Sequence, residues 1–224
     1  MAHIVVTGAS RGIGLEIVRK LLIDGHSVLA LSRTECPLQS TKVPSLRKMI
    51  FDLASGDCNL VASAIKDWEG VDAIIHNAGA FLNKPFADTS NEEFQAIYAA
   101  NVFGVANLTR CLLPKLGKGS HVVGISSMGG IQGSAKFPGL SAYSSSKGAL
   151  ITLFELLAEE FKAAEICFNT LALGAVNTEM LAEAFPGFEA SVSAAQMGGY
   201  IADFALTGHR LFNGKVLQVS NSTP

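Results

Sequence analysis

The chain has 224 residues, of which 49% are hydrophobic, and its formal net charge is −2. This length and apolar content predict one domain, spanning residues 1–224, with a core on both faces of a sheet. The charge lacks the basic footprint of a nucleic-acid-binding protein, and no stretch reaches the ~18 apolar residues of a membrane span. We therefore expect neither nucleic acid nor a membrane among its partners.

The cysteines and histidines show no pattern typical of a metal site or a disulfide framework. The four cysteines are scattered without metal-ligand spacing, and the five histidines form no local cluster. Residues 1–3 carry no basic region of a signal peptide. We predict reduced thiols, no metal and a cytoplasmic location.

The first residues predict a strand, a glycine-rich turn and a helix. Residues 3–7 are apolar and β-branched, as in a buried strand, and Gly8, Gly12 and Gly14 follow. Apolar residues then recur at helical spacing up to Gly25, and residues 27–32 predict a second strand. Such a βαβ unit places a helix N-terminus against a dinucleotide pyrophosphate. The alternative is a glycine-rich turn that binds nothing.

Further along the chain, apolar strands alternate with helical stretches. Beyond the first two strands, we predict strands around Met49, Ile74, Val122, Phe168 and Val216. Helices are predicted near Ile17, Ala62, Ala99, Leu153 and Ile201, with a small one near Leu181. This alternation predicts an α/β fold: a single doubly wound, Rossmann-like domain whose seven-stranded parallel sheet has the order 3-2-1-4-5-6-7, with helices on both faces. Its active site is expected at the carboxyl ends of the strands.

Tyr143 and Lys147 are four residues apart and would share one face of a helix. A lysine ammonium at this spacing is expected to stabilise a tyrosinate and to lower the tyrosine pKa from its usual value of ~10. The pair therefore predicts a general acid and base. A plain surface helix would show the same spacing, so the pair alone does not decide between the two.

Six motifs follow one another along the chain. They are residues 7–14, Asn77-Ala78-Gly79, Asn101 in Asn-Val-Phe-Gly, Ser127 in Ile-Ser-Ser-Met-Gly-Gly, Tyr143 and Lys147. In this order they resemble the short-chain dehydrogenase/reductase family over nearly the whole chain. The resemblance implies an enzyme that transfers hydride between a nicotinamide cofactor and a small-molecule carbonyl or alcohol.

The resemblance also implies a role for each of four catalytic residues. Tyr143 would exchange the proton of the substrate oxygen, and Lys147 would stabilise tyrosinate and bond the nicotinamide ribose. Ser127 would orient the substrate carbonyl, with Ser126 as the less favoured alternative. The backbone near Asn101 would hold a water that connects Lys147 to solvent.

The residues after the second strand favour NADP(H) as the cofactor. An NAD site usually has an acid there, whereas residues 31–34 include Arg33 and no acid. Arg33, and Arg11 in the glycine loop, could bind a 2′-phosphate, although two solvated arginines are the alternative. Asp52 and Leu53 resemble the pair that contacts adenine, although Asp52 could be a simple turn residue. The complete predicted cofactor set is Gly8, Ser10, Arg11, Gly12, Ile13, Gly14, Arg33, Asp52, Leu53, Asn77, Ala78, Gly79, Tyr143, Lys147, Gly174, Val176 and Thr178.

The chain departs from the family pattern around the expected substrate pocket. Leu173 stands where proline is usual, and residues 133–139 form an extra loop expected at the substrate mouth. A short substrate-loop segment near 179–193 has room for one small helix, broken at Pro186. Six apolar residues could line the pocket or simply pack in the core: Phe81, Phe86, Phe137, Met180, Leu181 and Phe185.

The leading hypothesis is an NADPH-dependent carbonyl reductase, or the reverse alcohol dehydrogenase. A catalytically silent NADP(H)-binding regulator is the first alternative, and a sugar-nucleotide epimerase or dehydratase is the second. The resemblance further implies a homodimer or homotetramer, formed through the helix of Tyr143 and the helix near Asn101.

Overall fold

The computed structural model describes residues 1–39 and 45–221; residues 40–44 and 222–224 of the predicted domain lie outside the described residues. Seven parallel strands form one sheet in the order β3-β2-β1-β4-β5-β6-β7. The strands are β1 (His3–Thr7), β2 (Ser27–Ser32), β3 (Leu46–Ile50), β4 (Ala73–His76), β5 (His121–Ser127), β6 (Cys167–Leu173) and β7 (Val216–Val219). The predicted strand order and fold class are confirmed.

Helices cover both faces of this sheet. They are α1 (Gly12–Ile23), α2 (Cys58–Ala64), α3 (Asn91–Tyr98), α4 (Gly104–Leu112), α5 (Ser141–Glu160), α6 (Glu179–Ala184) and α7 (Ala194–Thr207). Alternate residues of β1 point to opposite faces, so that Ile4 and Val6 join a core with α1 and α7. Val5 joins the other core, under α2, α4 and α5. Burial on both faces explains why the central strands β1, β2 and β4 are apolar runs without polar alternation.

The helix predicted near Ala99 consists of three parts. A π-helical segment, Ala99–Phe103, separates α3 from α4. A π-segment arises from a local change of hydrogen-bond register, which hydrophobic periodicity does not reveal. By length and composition alone, the run Asn91–Lys115 could cross a membrane, but a core helix passes the same test. Leu108 and Leu112 of this run are fully buried against the sheet.

Helix α5 has more apolar surface than the core uses. Leu150 and Phe154 are buried, and Phe154 meets Phe168 of β6 edge-on at a centroid distance of 5.9 Å. Leu156 on the same helix is 64% exposed, and Phe103 of the π-segment is 63% exposed. The predicted subunit interface on these two helices stays a prediction.

Candidate active site

One cavity of about 1030 Å³ lies at the carboxyl ends of the strands. Every residue predicted to act in catalysis or cofactor binding lines it except Asn101. The structure therefore brings the glycine loop, the ends of β2 to β6 and the start of α5 to one place. Doubly wound sheets bind their ligands at this edge of the sheet.

The glycine loop is folded tightly against the end of β4. Gly8 has a φ of +72°, and a Cβ on Gly14 would lie 2.1 Å from the Gly8 carbonyl oxygen. The side-chain amide of Asn77 donates to the Thr7 and Gly8 carbonyl oxygens at 3.1 and 3.3 Å. The backbone N–H of Ala78 donates to Thr7 Oγ1 at 3.0 Å. Asn77 and Ala78 thus hold the loop in place, and a side chain at position 14 would displace it.

The N-terminus of α1 lies at the cavity and suits a bound anion. Its N-cap residue, Arg11, has extended backbone angles and makes no side-chain cap hydrogen bond. Gly12 and Ile13, the first two helical residues, line the cavity. Unpaired N–H groups and the helix dipole suit the pyrophosphate of a dinucleotide. The residues present therefore fit a nicotinamide dinucleotide.

The end of β2 presents a positive charge to the same cavity. Arg33 is exposed, lines the cavity and has no ion pair or hydrogen bond within the described residues. Glu35, the nearest acid along the chain, is paired with Lys48 at 2.9 Å. The other candidate, Arg11, forms an ion pair with Glu179 at the start of α6. Of the two predicted phosphate contacts, Arg33 is the one free to accept a ligand.

Asp52 is a turn residue that also lies at the cavity, and its contact with adenine stays a prediction. It lines the cavity, and its carboxylate accepts a hydrogen bond from the Ala54 N–H at 2.9 Å, as in a turn. Leu53 beside it is buried and also faces the cavity.

Ser127, Tyr143 and Lys147 meet where β5 ends and α5 begins. Tyr143 lies in the first turn of α5, and the Lys147 ammonium lies 5.8 Å from the centre of its ring. Lys147 Nζ donates to the Ile125 carbonyl oxygen at 2.8 Å. Phe81 packs edge-on against the Tyr143 ring at a centroid distance of 5.1 Å. The two hydroxyl-bearing residues and the lysine therefore line the same cavity.

The pKa shifts of this pair differ from the sequence-based expectation. Burial raises the pKa of Tyr143 to about 12, and a hydrogen bond with Ser127 only partly offsets the increase. Burial also lowers the pKa of Lys147 to about 8. The expectation that the Tyr143 pKa lies below its usual value is wrong for this structure, because loss of water penalises the tyrosinate more than its neighbours stabilise it. The Lys147 amine is bonded to a backbone carbonyl oxygen.

Asn101 lies behind the cavity wall, in the π-segment. It is 1% exposed, and its Oδ1 accepts from the Ala80 N–H at 2.7 Å. Its Nδ2 donates to the Ala80 carbonyl at 3.0 Å and to Ser146 Oγ at 2.9 Å. Asn101 thus joins the loop after β4 to α5. The sequence analysis missed Ser146, because its partner is distant in the sequence and nothing local marks it.

Ser126 and Gly130 fix the junction between β5 and α5. The buried Ser126 hydroxyl donates to the Lys147 carbonyl oxygen at 3.0 Å. A Cβ on Gly130 would lie 2.8 Å from the carbonyl carbon of Lys147, so the two backbones touch. The Ser126 hydroxyl is thereby occupied, which favours Ser127 as the serine that faces a substrate.

Two segments border the cavity beyond Tyr143. As predicted, the extra loop borders it through Ser134, Ala135 and Phe137, and the small helix α6 borders it through Met180 and Leu181. The placement of Phe86 in the pocket wall is wrong: it is 72% exposed and lies outside the lining. Its neighbour Pro85 begins a surface turn that carries the side chain outward.

Comparison with known proteins identifies the family. A family model described as short chain dehydrogenase matches residues 2–187, and the protein belongs to this family of oxidoreductases. It is 33% identical over 180 residues to carbonyl reductase (NADPH) 2 of Sus scrofa, covering 78% of this chain and 72% of that protein. It is 32% identical over 193 residues to 2-(R)-hydroxypropyl-CoM dehydrogenase of Xanthobacter autotrophicus, covering 79% and 75%.

Solved structures show the same likeness over the whole chain. The crystal structure of a short chain dehydrogenase from Salmonella enterica serovar Typhi has a TM-score of 0.85 and 27% identity, covering 97% of this chain and 95% of that one.

The chain spans 59% to 75% of the length of the curated relatives.

Proposed function

We propose that the protein is an NADP(H)-dependent oxidoreductase that reduces a carbonyl substrate to an alcohol, or catalyses the reverse reaction. One observation carries the proposal: Ser127, Tyr143 and Lys147 line the same cavity as the open N-terminus of α1. The first group supplies acid–base chemistry, and the second suits a dinucleotide. The proposal assigns cofactor binding to every residue of the cofactor set predicted from the sequence.

The chain's own residues would handle the proton of the reaction. When bound, NADPH supplies the hydride that adds to the carbonyl carbon. The Ser127 hydroxyl would donate a hydrogen bond to the carbonyl oxygen, and Tyr143 would transfer its phenolic proton there, so that C=O becomes CH–OH. Because burial raises the Tyr143 pKa to about 12, the phenol keeps its proton until a substrate is present. The buried Lys147 ammonium would then stabilise the tyrosinate that remains.

The free Arg33 side chain supports NADP(H) over NAD(H). A guanidinium group binds a 2′-phosphate through paired, charge-assisted hydrogen bonds, whereas the ribose hydroxyls of NAD favour an acid. The name of the Sus scrofa relative, which includes NADPH, points the same way.

The test is oxidation of NADPH, with NADH in parallel, across a panel of ketones, aldehydes, quinones and β-keto thioesters. We expect turnover that prefers NADPH. The Tyr143→Phe variant keeps the ring but lacks the transferable proton, so its turnover should fall at least ~100-fold with NADPH binding unchanged. Near-normal turnover in Tyr143→Phe would refute the mechanism. Tight NADPH binding without turnover on any compound would favour the regulator instead.

A further inference from the structure

Among the residues that the structure describes, none at the substrate end of the cavity offers a free charge that could bind an anion. The charged residues that line the cavity are Arg11, Arg33, Asp52, Lys147 and Glu179. Four of them surround the cofactor end, at the glycine loop, the ends of β2 and β3, and the start of α6. The fifth, Lys147, is 4% exposed and donates to the Ile125 carbonyl oxygen.

Two lysines lie near the mouth, and both already have partners. Lys84 Nζ is 2.8 Å from both carboxylate oxygens of Glu93. Lys136 donates to the Ile131 carbonyl at 2.6 Å and to Ser134 Oγ at 2.8 Å, and it does not line the cavity. Because no unpaired cation lines this end within the described residues, a carboxylate or phosphate near the reacting carbonyl would lose water without gaining a charged partner, which is costly.

The walls of this end are aromatic and aliphatic. Phe137 of the extra loop meets Phe185, next to α6, edge-on at a centroid distance of 5.1 Å. Phe81 extends this apolar wall to the Tyr143 ring. Two further contacts hold the rim together: Asn83 Nδ2 donates to the Ala184 carbonyl at 3.2 Å, and the Lys84 N–H donates to the Gly139 carbonyl at 3.0 Å. The loop after β4, the extra loop and α6 thus form one apolar enclosure.

We propose that the substrate is an uncharged ketone or aldehyde with an apolar, preferably aryl, group on the carbonyl carbon. This group occupies the space between Phe81, Phe137 and Phe185, while the oxygen faces Tyr143. The proposal rests on the proposed function and deepens it. Sequence similarity does not predict this substrate, because two relatives with nearly equal identity to this chain have names that indicate different substrates.

The first experiment compares methyl 4-acetylbenzoate with 4-acetylbenzoate, two aryl ketones of similar shape that differ in charge. With NADPH present, we expect kcat/KM for the neutral ester to exceed that for the carboxylate by roughly tenfold or more. Equal values, or a preference for the carboxylate, would overturn the proposal. A preference for the carboxylate that disappears in Lys136→Gln would identify Lys136 as an anion anchor and also overturn it.

The second experiment tests the aromatic wall. In Phe185→Ala and Phe137→Ala, the KM for the neutral aryl ketone should rise about tenfold, while the NADPH dissociation constant stays at the wild-type value. The control is Phe86→Ala, since Phe86 is 72% exposed and lies outside the cavity; its KM should not change. An unchanged KM in both wall variants would contradict the proposal. If NADPH binds but no carbonyl compound, neutral or charged, is reduced, the proposed function itself fails, and this proposal with it.

Discussion

A buried histidine should make the stability of this protein fall steeply in mild acid. His76, the last residue of β4, is 1% exposed, and its Nε2 lies 2.9 Å from Thr109 Oγ1. Its Nδ1 is buried without a hydrogen-bond partner within the described residues. Burial lowers the pKa of His76 to about 3, whereas an unfolded histidine titrates near ~6.5. The unfolded state therefore binds more protons below about pH 6.5, and stability declines from there down to about pH 3.

The size of this effect follows from the two pKa values. Between about pH 7 and about pH 5, protonation of His76 in the unfolded state lowers the free energy of unfolding by about 2 kcal/mol. His121, whose pKa is lowered by burial to about 4, contributes a loss of similar size. The His76→Gln variant places an amide near the Nε2 position and never becomes charged, so about 2 kcal/mol of the pH-dependent loss should disappear.

The assay is urea unfolding of wild type and His76→Gln, followed by circular dichroism at about pH 7, 6 and 5. A difference in the free energy of unfolding that is the same at every pH reports altered packing. A difference in how steeply that free energy falls with pH reports protonation of His76. An equal dependence on pH in the two proteins would refute the reasoning. His121→Gln provides the second arm, and it should remove a loss of comparable size.

Two further predictions concern the cofactor and the assembly. In Arg33→Ala, the dissociation constant of NADPH should rise roughly tenfold or more while that of NADH stays nearly unchanged, because only NADPH carries the 2′-phosphate. Equal losses for the two cofactors, measured by calorimetry, would show that Arg33 does not contact the phosphate. Wild type should sediment as a dimer or tetramer, and Leu156→Glu should sediment as a monomer, because a charge replaces an apolar side chain that is 64% exposed on α5. A wild-type monomer at micromolar concentration would contradict the predicted interface.

The sheet could be predicted from the sequence because its central strands are buried on both faces. Val5 and Ile74 belong to unbroken apolar runs that turns and helices separate, and this pattern is typical of parallel sheets. Strand β3 contains the predicted Met49 but spans Leu46–Ile50, and its middle is only partly buried. The π-segment around Asn101 was not predictable, because the pattern of apolar residues there does not show which backbone groups bond to each other.

The sequence predicted which positions belong to the site, but it did not predict the hydrogen bonds and ion pairs that their charged groups make. Spacing along a helix places Lys147 one turn after Tyr143, but it does not show where the amine points. The Ile125 carbonyl captures that amine, and Ile125 belongs to another element. The same limit applies to the ion pair between Arg11 and Glu179, which joins residues 168 positions apart. Contacts of this kind depend on the packed fold and leave no local trace in the sequence.

The junction at Gly130 indicates which parts of the protein could be redesigned. Because a Cβ there would lie 2.8 Å from the backbone of Lys147, any side chain at position 130 would displace the helix that carries both Tyr143 and Lys147. A mutant library aimed at new substrates should therefore keep Gly130 and Ser126 constant. Diversity belongs at positions 137, 180, 181, 184 and 185, which line the cavity and do not belong to the catalytic helix.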